Sequence, residues 1–208
     1  MSQFSLFDPA PNSGEEIALP NADITYFPQW LSGERADKLF SYFLHALDWR
    51  QSTLQLYGKA VLIPRMNAWY GDEGTPYQYS GAHFDARQFN PQLETLRDEL
   101  QNCLGLRFNS VLANLYRNGD DSVSWHADDE KELGVEPAIA SVSLGAVRRF
   151  SLKHQKQRQL PVKSIDLPHG SLLLMKGATQ THWHHQVPKT SKAVGPRINL
   201  TFRWVNPV

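Results

Sequence analysis

The sequence predicts a mainly β protein, an antiparallel sandwich or jelly roll with two flanking helices. From residue 110 onward, short apolar and β-branched runs follow one another with no helical pattern between them, which is typical of antiparallel rather than parallel sheets. In the N-terminal half, two segments instead repeat their apolar residues at helical spacing. With 208 residues, the chain is expected to form one domain with a sizeable core.

The two predicted helices have recognisable ends. The first starts at Ser32; the second follows Asn90 as its N-cap, has Pro91 at its first position and ends at Gly105. Cys103 falls on the apolar stripe of the second helix, so we expect it to be a small core residue. The stripes consist of Ala36, Leu39, Phe40, Phe43, Leu44 and Leu47 in the first helix, and of Leu93, Leu96, Leu100 and Cys103 in the second.

The remaining apolar runs predict strands. Two of them lie on either side of Gly58-Lys59 and predict a short hairpin. The predicted strands are 54–57, 60–63, 67–70, 111–117, 138–144, 150–153, 171–175, 183–187 and 198–205.

Charge is distributed unevenly along the chain. The formal net charge is zero, with 21 Lys+Arg and 21 Asp+Glu. Residues 148–208 contain 11 basic residues and Asp166 as their one acidic residue, so they carry +10 while residues 1–147 carry −10. Such asymmetry indicates an anionic partner, although the two halves could also fold against each other.

Targeting signals are lacking in the sequence. No apolar run reaches the ~20 residues of a membrane span, and no signal-peptide pattern is present, so we expect a cytoplasmic protein without membrane contact. A single cysteine excludes an internal disulfide and suits a reducing compartment. Residues 1–22 contain no basic residue and show no periodicity, and are expected to form a flexible arm.

Histidines and a carboxylate suggest a metal site. His126 and Asp128 are two residues apart, so on an extended segment both side chains point to one face. A second cluster, His182, His184 and His185, lies at a predicted strand. Two histidines and one carboxylate leave three coordination positions open, as in Fe(II) oxygenases, but a hydrolytic zinc site uses the same ligand types.

The last predicted strand has a polar and an apolar face. Alternation places Arg197, Asn199, Thr201 and Arg203 on one face and Ile198, Leu200 and Phe202 on the other. Arginines that face a protein interior are costly unless each meets an anion. A dicarboxylate co-substrate would supply two such anionic groups.

These motifs together resemble a known family. The chain contains, in order, Asn114-x-Tyr116, His126-x-Asp128, Trp183-x-His185-x-x-Pro188 and Arg197-x-Asn199-x-Thr201-Phe202-Arg203. Over roughly residues 25–206 it is similar to the AlkB family of Fe(II)/2-oxoglutarate-dependent nucleic-acid demethylases. The resemblance implies one catalytic domain over residues 23–208, with a hairpin and nucleotide-recognition lid at about 50–90 and a double-stranded β-helix (jelly-roll) core at about 108–206.

The same resemblance implies a site for Fe(II), 2-oxoglutarate and O2. The iron ligands would be His126, Asp128 and His185, with His182 and His184 as the alternatives to the last. Arg197 would pair with the distal carboxylate of 2-oxoglutarate, and Asn114, Tyr116, Asn199 and Arg203 would complete that pocket. An alternative role for Arg203 is a salt bridge that orients Asp128.

The N-terminal half carries the residues that the resemblance assigns to the substrate. Tyr57 would fill the gap left by a flipped-out nucleotide, and Asp129 and Glu130 would attract a cationic methylated base. The substrate residues implied are Tyr57, Arg65, Trp69, Tyr77, Tyr79, Ser80, Asp129 and Glu130. The basic segments Arg148-Arg149 and 153–158 would contact phosphates.

The implied activity is oxidative demethylation of 1-methyladenine and 3-methylcytosine in DNA, with release of formaldehyde. It would couple decarboxylation of 2-oxoglutarate to hydroxylation of the N-methyl group, and the enzyme is expected to act as a monomer. Two alternatives stay open: the same oxygenase chemistry on RNA or on a protein side chain, and a non-catalytic jelly-roll binding module.

Overall fold

The structure is a computed structural model that describes residues 14–56, 59–73, 75–79, 82–85 and 87–206. Its helices are α1 (Gly33–Ala46), α2 (Pro91–Leu104) and α3 (Thr179–His182), with a 3-10 turn at Lys131–Leu133. Its strands are β1 (Glu15–Glu16), β2 (Asp23–Phe27), β3 (Thr53–Leu56), β4 (Lys59–Leu62), β5 (Met66–Gly71), β6 (Pro76–Tyr79), β7 (Ala82–Asp85), β8 (Arg87–Gln88), β9 (Ser110–Tyr116), β10 (Val123–His126), β11 (Ile139–Gly145), β12 (Arg148–His154), β13 (Lys163–Leu167), β14 (Ser171–Lys176), β15 (Trp183–Val187) and β16 (Arg197–Arg203).

Two sheets form the body of the fold. The larger has the order β1-β2-β14-β11-β16-β9-β5-β8, and its pairs are antiparallel except for β5 with β8. The smaller has the order β10-β15-β12-β13 and is antiparallel throughout. The hairpins β3–β4 and β6–β7 form separate two-stranded sheets. The predicted antiparallel jelly-roll class is confirmed.

Each face of the larger sheet covers a different hydrophobic cluster. One face packs against α1 and α2, and this cluster includes Phe43, Leu96, Val142 and Leu200. The other face packs against the smaller sheet, and this second cluster includes Leu112, Leu152 and Trp183. Because both faces are covered, the strands of the larger sheet carry apolar side chains in two directions. The space between the sheets is where the polar face of β16 points.

The predicted helix ends are confirmed. The Ser32 hydroxyl accepts a hydrogen bond from the Arg35 N–H, and Asn90 Oδ1 accepts one from the Leu93 N–H at 2.9 Å. Gly105 ends α2 in the left-handed conformation, with φ at 66°. These caps satisfy backbone groups that have no partner within a helix.

Two expectations about local structure were wrong. Cys103 is exposed, because a repeat of 3.6 residues brings Leu104 and not Cys103 to the inward side of the last turn of α2. Residues 14–22 do not form a separate arm: β1 pairs with β2, and Trp183 Nε1 donates to the Pro20 carbonyl at 2.9 Å. Residues 1–13 lie outside the described part of the chain. No helix among the described residues is long and apolar enough to cross a membrane.

Gly145, at the end of β11, is expected to tolerate no side chain. Its φ is 89°, and an added Cβ would lie 2.4 Å from the Pro196 carbonyl oxygen and 2.6 Å from Phe40 Cε2. We expect Gly145→Ala to lower the free energy of unfolding by at least about 2 kcal/mol, measured by urea denaturation. Gly33→Ala is the matched control, because a Cβ there meets nothing within 4 Å. Equal stabilities of the two variants would contradict this prediction.

Candidate active site

Three potential metal ligands converge between the sheets. His126 ends β10 and lies directly opposite His185 on β15, and Asp128 follows two residues later. One ligand atom from each of His126, Asp128 and His185, which we call the triad, lies within 4.8 Å of the other two. The two imidazole centroids are 4.2 Å apart. The antiparallel register therefore brings together residues that are 59 positions apart in the sequence.

The hydrogen bond of His126 leaves one of its nitrogens available for a ligand. His126 Nδ1 lies 2.8 Å from the Ser124 carbonyl oxygen, which can only accept, so Nδ1 carries the proton and Nε2 keeps its lone pair. Nδ1 of His185 is buried and has no hydrogen-bond partner among the described residues. The His185 ring is stacked on Phe150 at 5.2 Å, which fixes its plane.

Asp128 is held at two points. Arg203 Nη2 donates to its Oδ1 at 2.9 Å, and its backbone N–H donates to Gln180 Oε1 at 3.0 Å. Burial alone would raise the pKa of Asp128, but the positive charge of Arg203 and the neighbouring His185 and His126 outweigh burial and hold that pKa below its ordinary value. The carboxylate is therefore charged, as a metal ligand must be.

The histidines are kept neutral. Burial, with the proximity of His126 next in importance, lowers the pKa of His185 to about 3. Burial also lowers the pKa of His126, against the opposing attraction of Asp128. Two neutral imidazoles and one carboxylate offer three lone pairs and a single negative charge, a donor set that fits a divalent cation such as Fe(II).

The two alternative histidines lie elsewhere. His184 is paired with Lys153 across β12, on the face of the smaller sheet opposite to His185. His182 ends α3, where its ring is 5.7 Å from that of His154. Neither is among the residues that the structure brings together as a triad.

Arg197 is a buried cation with no anionic partner among the described residues. It is 1% exposed, and its Nη2 donates to Ser143 Oγ at 2.9 Å. Its Nε and Nη1 atoms are buried and have no hydrogen-bond partner in the described part of the chain. Burial lowers its pKa to about 10, although Tyr116 beside it acts in the opposite direction. An anionic ligand such as a carboxylate of 2-oxoglutarate would satisfy both atoms.

The other residues assigned to the co-substrate share one solvent-open cavity of about 40 Å³. Its lining includes the triad, Asn114, Tyr116, Asn199 and Arg203. Tyr116 is also the cross-strand neighbour of Arg197, whose guanidinium lies 5.2 Å from its ring centroid. Polar groups that converge on one cavity are typical of small-molecule sites.

Arg65 lies in this cavity. Its Nε donates to Asn114 Oδ1 at 2.8 Å, and it is 6% exposed. Asn199 Nδ2 donates to Ser141 Oγ at 2.7 Å. Arg65 was expected to contact the substrate. Its observed contact instead orients the amide of Asn114, a residue assigned to 2-oxoglutarate. With the Asn114 oxygen bound to Arg65, the NH2 group can donate to another acceptor.

The structure describes only some of the remaining residues that were assigned to the substrate. Trp69 is 5% exposed and belongs to the hydrophobic cluster between the sheets. Tyr77 and Tyr79 lie on β6, but their side chains, like Tyr57 and Ser80 as a whole, lie outside the described part of the structure.

Asp129 and Glu130 follow the triad directly. Asp129 is exposed. The Oε2 atom of Glu130 is buried and accepts no hydrogen bond from the described residues. Burial, together with the charges of Asp128 and Asp129, raises the pKa of Glu130 against the attraction of Arg203. Oε2 is therefore the carboxylate oxygen of Glu130 that has no donor among the described residues.

The expectation that Arg148 binds phosphate was wrong. Its guanidinium is buried and donates to the carbonyl oxygens of Asn118, Asp121 and Pro188 at 3.0, 2.8 and 2.7 Å. It therefore joins the β9–β10 turn to the end of β15. Arg149 is exposed and pairs with Asp166, and Lys153 lies 4.6 Å over the Trp125 ring.

Sequence reasoning missed several residues that shape the site. They are Gln180, Ser141, Ser143 and Phe150, which contact Asp128, Asn199, Arg197 and His185 respectively. The two serines and Phe150 lie on predicted strands, so alternation could have placed them on the inward face. Gln180 carried no such signal, because α3 is one turn long and its neighbour Asp128 is 52 residues away.

Comparisons with known proteins bear on this geometry. The sequence profile described as "2OG-Fe(II) oxygenase superfamily" matches residues 23–203. The chain is 41% identical to DNA oxidative demethylase ALKBH2 of Bos taurus over 180 residues, 84% of this chain and 63% of that protein. It is 38% identical to Alpha-ketoglutarate-dependent dioxygenase alkB homolog 3 of Homo sapiens over 192 residues, 88% and 66% of the two. The chain thus spans slightly less than two thirds of both relatives.

One further relative and one solved structure also resemble the chain. DNA oxidative demethylase ALKBH2 of Mus musculus is 37% identical over 222 residues, which cover 96% of this chain and 91% of that protein. A solved structure of OsALKBH1 superposes with a TM-score of 0.63 at 15% identity, covering 90% of this chain and all of that one. At such low identity the likeness concerns the fold alone, and it fits the jelly-roll core.

Acid is expected to destabilise the metal-free protein through His185. Its pKa is about 3 in the folded state against an ordinary 6.5, so below pH 6.5 the unfolded chain binds a proton that the folded one does not. The free energy of unfolding should therefore fall from pH 6.5 toward 3, by up to about 1.4 kcal/mol per pH unit. Urea denaturation in EDTA between pH 7.5 and 4.5 measures this slope. His185→Gln should flatten it, and an unchanged slope would refute the assignment.

Proposed function

The chain belongs to the AlkB family of the 2OG-Fe(II) oxygenase superfamily, and from this premise we propose that it is an Fe(II)- and 2-oxoglutarate-dependent dioxygenase that demethylates alkylated bases in DNA. The observation that carries the proposal is the triad at the wall of a solvent-open cavity. Names of the relatives support the substrate: ALKBH2 proteins of Bos taurus and Mus musculus are called DNA oxidative demethylases.

His126, Asp128 and His185 would hold the iron. Three protein ligands leave coordination positions for co-substrate and oxygen, which is the arrangement that oxygenases of this type require. When bound, Fe(II) with 2-oxoglutarate and O2 supplies the oxidising power to hydroxylate an N-methyl carbon, whose hydroxymethyl group then leaves as formaldehyde and restores the base. The protein's part is to bind, orient and exclude water.

Arg197 would bind the distal carboxylate of 2-oxoglutarate. The orphaned Nε and Nη1 atoms support this assignment, because a buried guanidinium needs an anion and the described residues provide none. Asn114, Tyr116 and Asn199 line the cavity and would hold the rest of the molecule. Arg203 is already paired with Asp128, so its role toward 2-oxoglutarate would pass through that ligand.

Glu130 and Asp129 would select a cationic base. Methylation at N1 of adenine or N3 of cytosine gives a base that is positively charged near neutral pH, whereas the normal base is neutral. Oε2 of Glu130, which has no donor among the described residues, and the neighbouring Asp129 would favour the positively charged methylated base by electrostatic attraction. The damaged nucleotide would reach the cavity by flipping out of its strand.

Turnover of methylated DNA tests the proposal. Protein supplied with Fe(II), 2-oxoglutarate and an oligonucleotide containing 1-methyladenine should form succinate and formaldehyde in equal amounts. Asp128→Ala should reduce both by at least about 100-fold, whereas Asp98→Ala, an exposed change on α2, should leave them unchanged. Duplex DNA, single-stranded DNA and RNA are compared in parallel. Absence of succinate with every methylated substrate would exclude the function, and turnover of RNA alone would exclude the DNA assignment.

Arg197→Met separates binding from stability. Removing a buried cation that has no anionic partner among the described residues should leave the free energy of unfolding of the ligand-free protein unchanged or higher, while the affinity for 2-oxoglutarate falls by at least about 30-fold. Arg148→Met is the matched control. It removes the donor from three backbone carbonyl oxygens, so it should lower the free energy of unfolding. Urea denaturation and 2-oxoglutarate titration of the Mn(II)-loaded protein give both quantities. An affinity within threefold of the parent would remove Arg197 from the pocket.

A further inference from the structure

Asp128 lies beyond the regular structure that precedes it. The last ladder pair of β10 is His126 with His185, and the 3-10 turn starts at Lys131, so no strand pairing fixes the main chain at residue 128. Arg203 holds the carboxylate, but a salt bridge to one oxygen leaves the backbone free to rotate. A second contact is needed to fix where the Asp128 Cα lies.

Gln180 supplies that contact. Its Oε1 accepts the backbone N–H of Asp128 at 3.0 Å, and its side chain comes from α3, which connects β14 with β15. Because a backbone N–H can only donate, the amide oxygen must face Asp128, and the NH2 group points to Met175 Sδ at 3.7 Å. Gln180 is 1% exposed. Burial of an amide is unfavourable unless it is hydrogen-bonded, so this orientation is strongly preferred.

The turn that carries Gln180 is itself anchored. Gln155 Nε2 donates to the Gln180 carbonyl oxygen at 3.2 Å, and the Gln155 N–H donates to the His182 carbonyl oxygen at 2.8 Å. Thr179 Oγ1 accepts the Asp23 N–H at 2.9 Å. The side chain of Gln180 thus extends from a fixed base in the direction of the triad.

We propose that Gln180 is a positioning residue for the metal centre: by binding the Asp128 N–H, it sets the carboxylate in place for the cation. This inference rests on the proposed function, since it assumes that the triad binds a divalent metal. Partners that orient a ligand typically change metal affinity 10- to 100-fold when they are removed. Gln180 touches neither metal nor substrate in this role; it acts through Asp128.

Mn(II) binding to the 208-residue chain tests the proposal. Gln180→Met keeps the length and volume of the side chain but removes the acceptor, and we expect the Kd for Mn(II), measured by calorimetry, to rise at least about 10-fold. Gln155→Met is the matched control: it removes a bond to the backbone of α3 and leaves the Asp128 N–H satisfied, so its Kd should stay within twofold. In Gln180→Asn the side chain is shorter by one methylene group, so its oxygen cannot reach the Asp128 N–H. This variant should also weaken Mn(II) binding, and it replaces Gln180→Met if that variant is insoluble.

The outcomes separate this inference from the proposed function. If the parent protein binds no Mn(II), the metal site itself is refuted. If the parent binds and both Gln180 variants bind within twofold of it, the positioning role is refuted. An equal loss in Gln155→Met would assign the effect to loosening of α3 and would also overturn the proposal. Activity assays should also distinguish metal affinity from catalysis. In Gln180→Met the Fe(II) concentration for half-maximal rate should rise, while kcat at saturating Fe(II) changes less.

Discussion

The ion pair between Arg203 and Asp128 is the interaction on which the site depends. Both groups are almost fully buried, at 3% and 2% exposure, and such charges are tolerated inside a protein only when they are paired and well placed. Arg203 lies on β16, between β9 and β11 in the larger sheet, whereas Asp128 follows β10 at the edge of the smaller one. The pair therefore ties Asp128, the proposed metal ligand, to a central strand of the larger sheet.

Three of the buried arginines, Arg203, Arg148 and Arg197, show how the same side chain takes different roles. Arg203 is neutralised by a carboxylate, and Arg148 donates to three backbone carbonyls that would otherwise lack donors. Arg197 donates to the Ser143 hydroxyl, while its Nε and Nη1 have no hydrogen-bond partner in the part of the chain that the structure describes. The first two are explained by the folded chain alone. Of these three, Arg197 alone requires a ligand. It therefore carries more information about function than Arg203 or Arg148.

Much of the fold and part of the site followed from local rules. Alternation along β16 placed Arg197 and Arg203 on one face because a strand has a fixed period of two, and the caps at Ser32 and Asn90 depend only on neighbouring residues. Cys103, Arg148 and Gln180 could not be read in this way. The first depends on the phase of a helix at its last turn, and the other two on contacts with segments 27 to 52 residues away.

The two faces of β16 have different roles: one packs in the hydrophobic core, and the other carries side chains of the candidate site. Ile198, Leu200 and Phe202 are fully buried against the cluster that includes α1 and α2, and this face contributes hydrophobic stabilisation without polar groups. The opposite face carries Arg197, Asn199, Thr201 and Arg203, whose burial is unfavourable unless each finds a partner. A jelly roll offers this division because its central strand is covered on both sides. The hydrophobic stabilisation from the apolar face can therefore offset the cost of burying the charged and polar side chains on the opposite face.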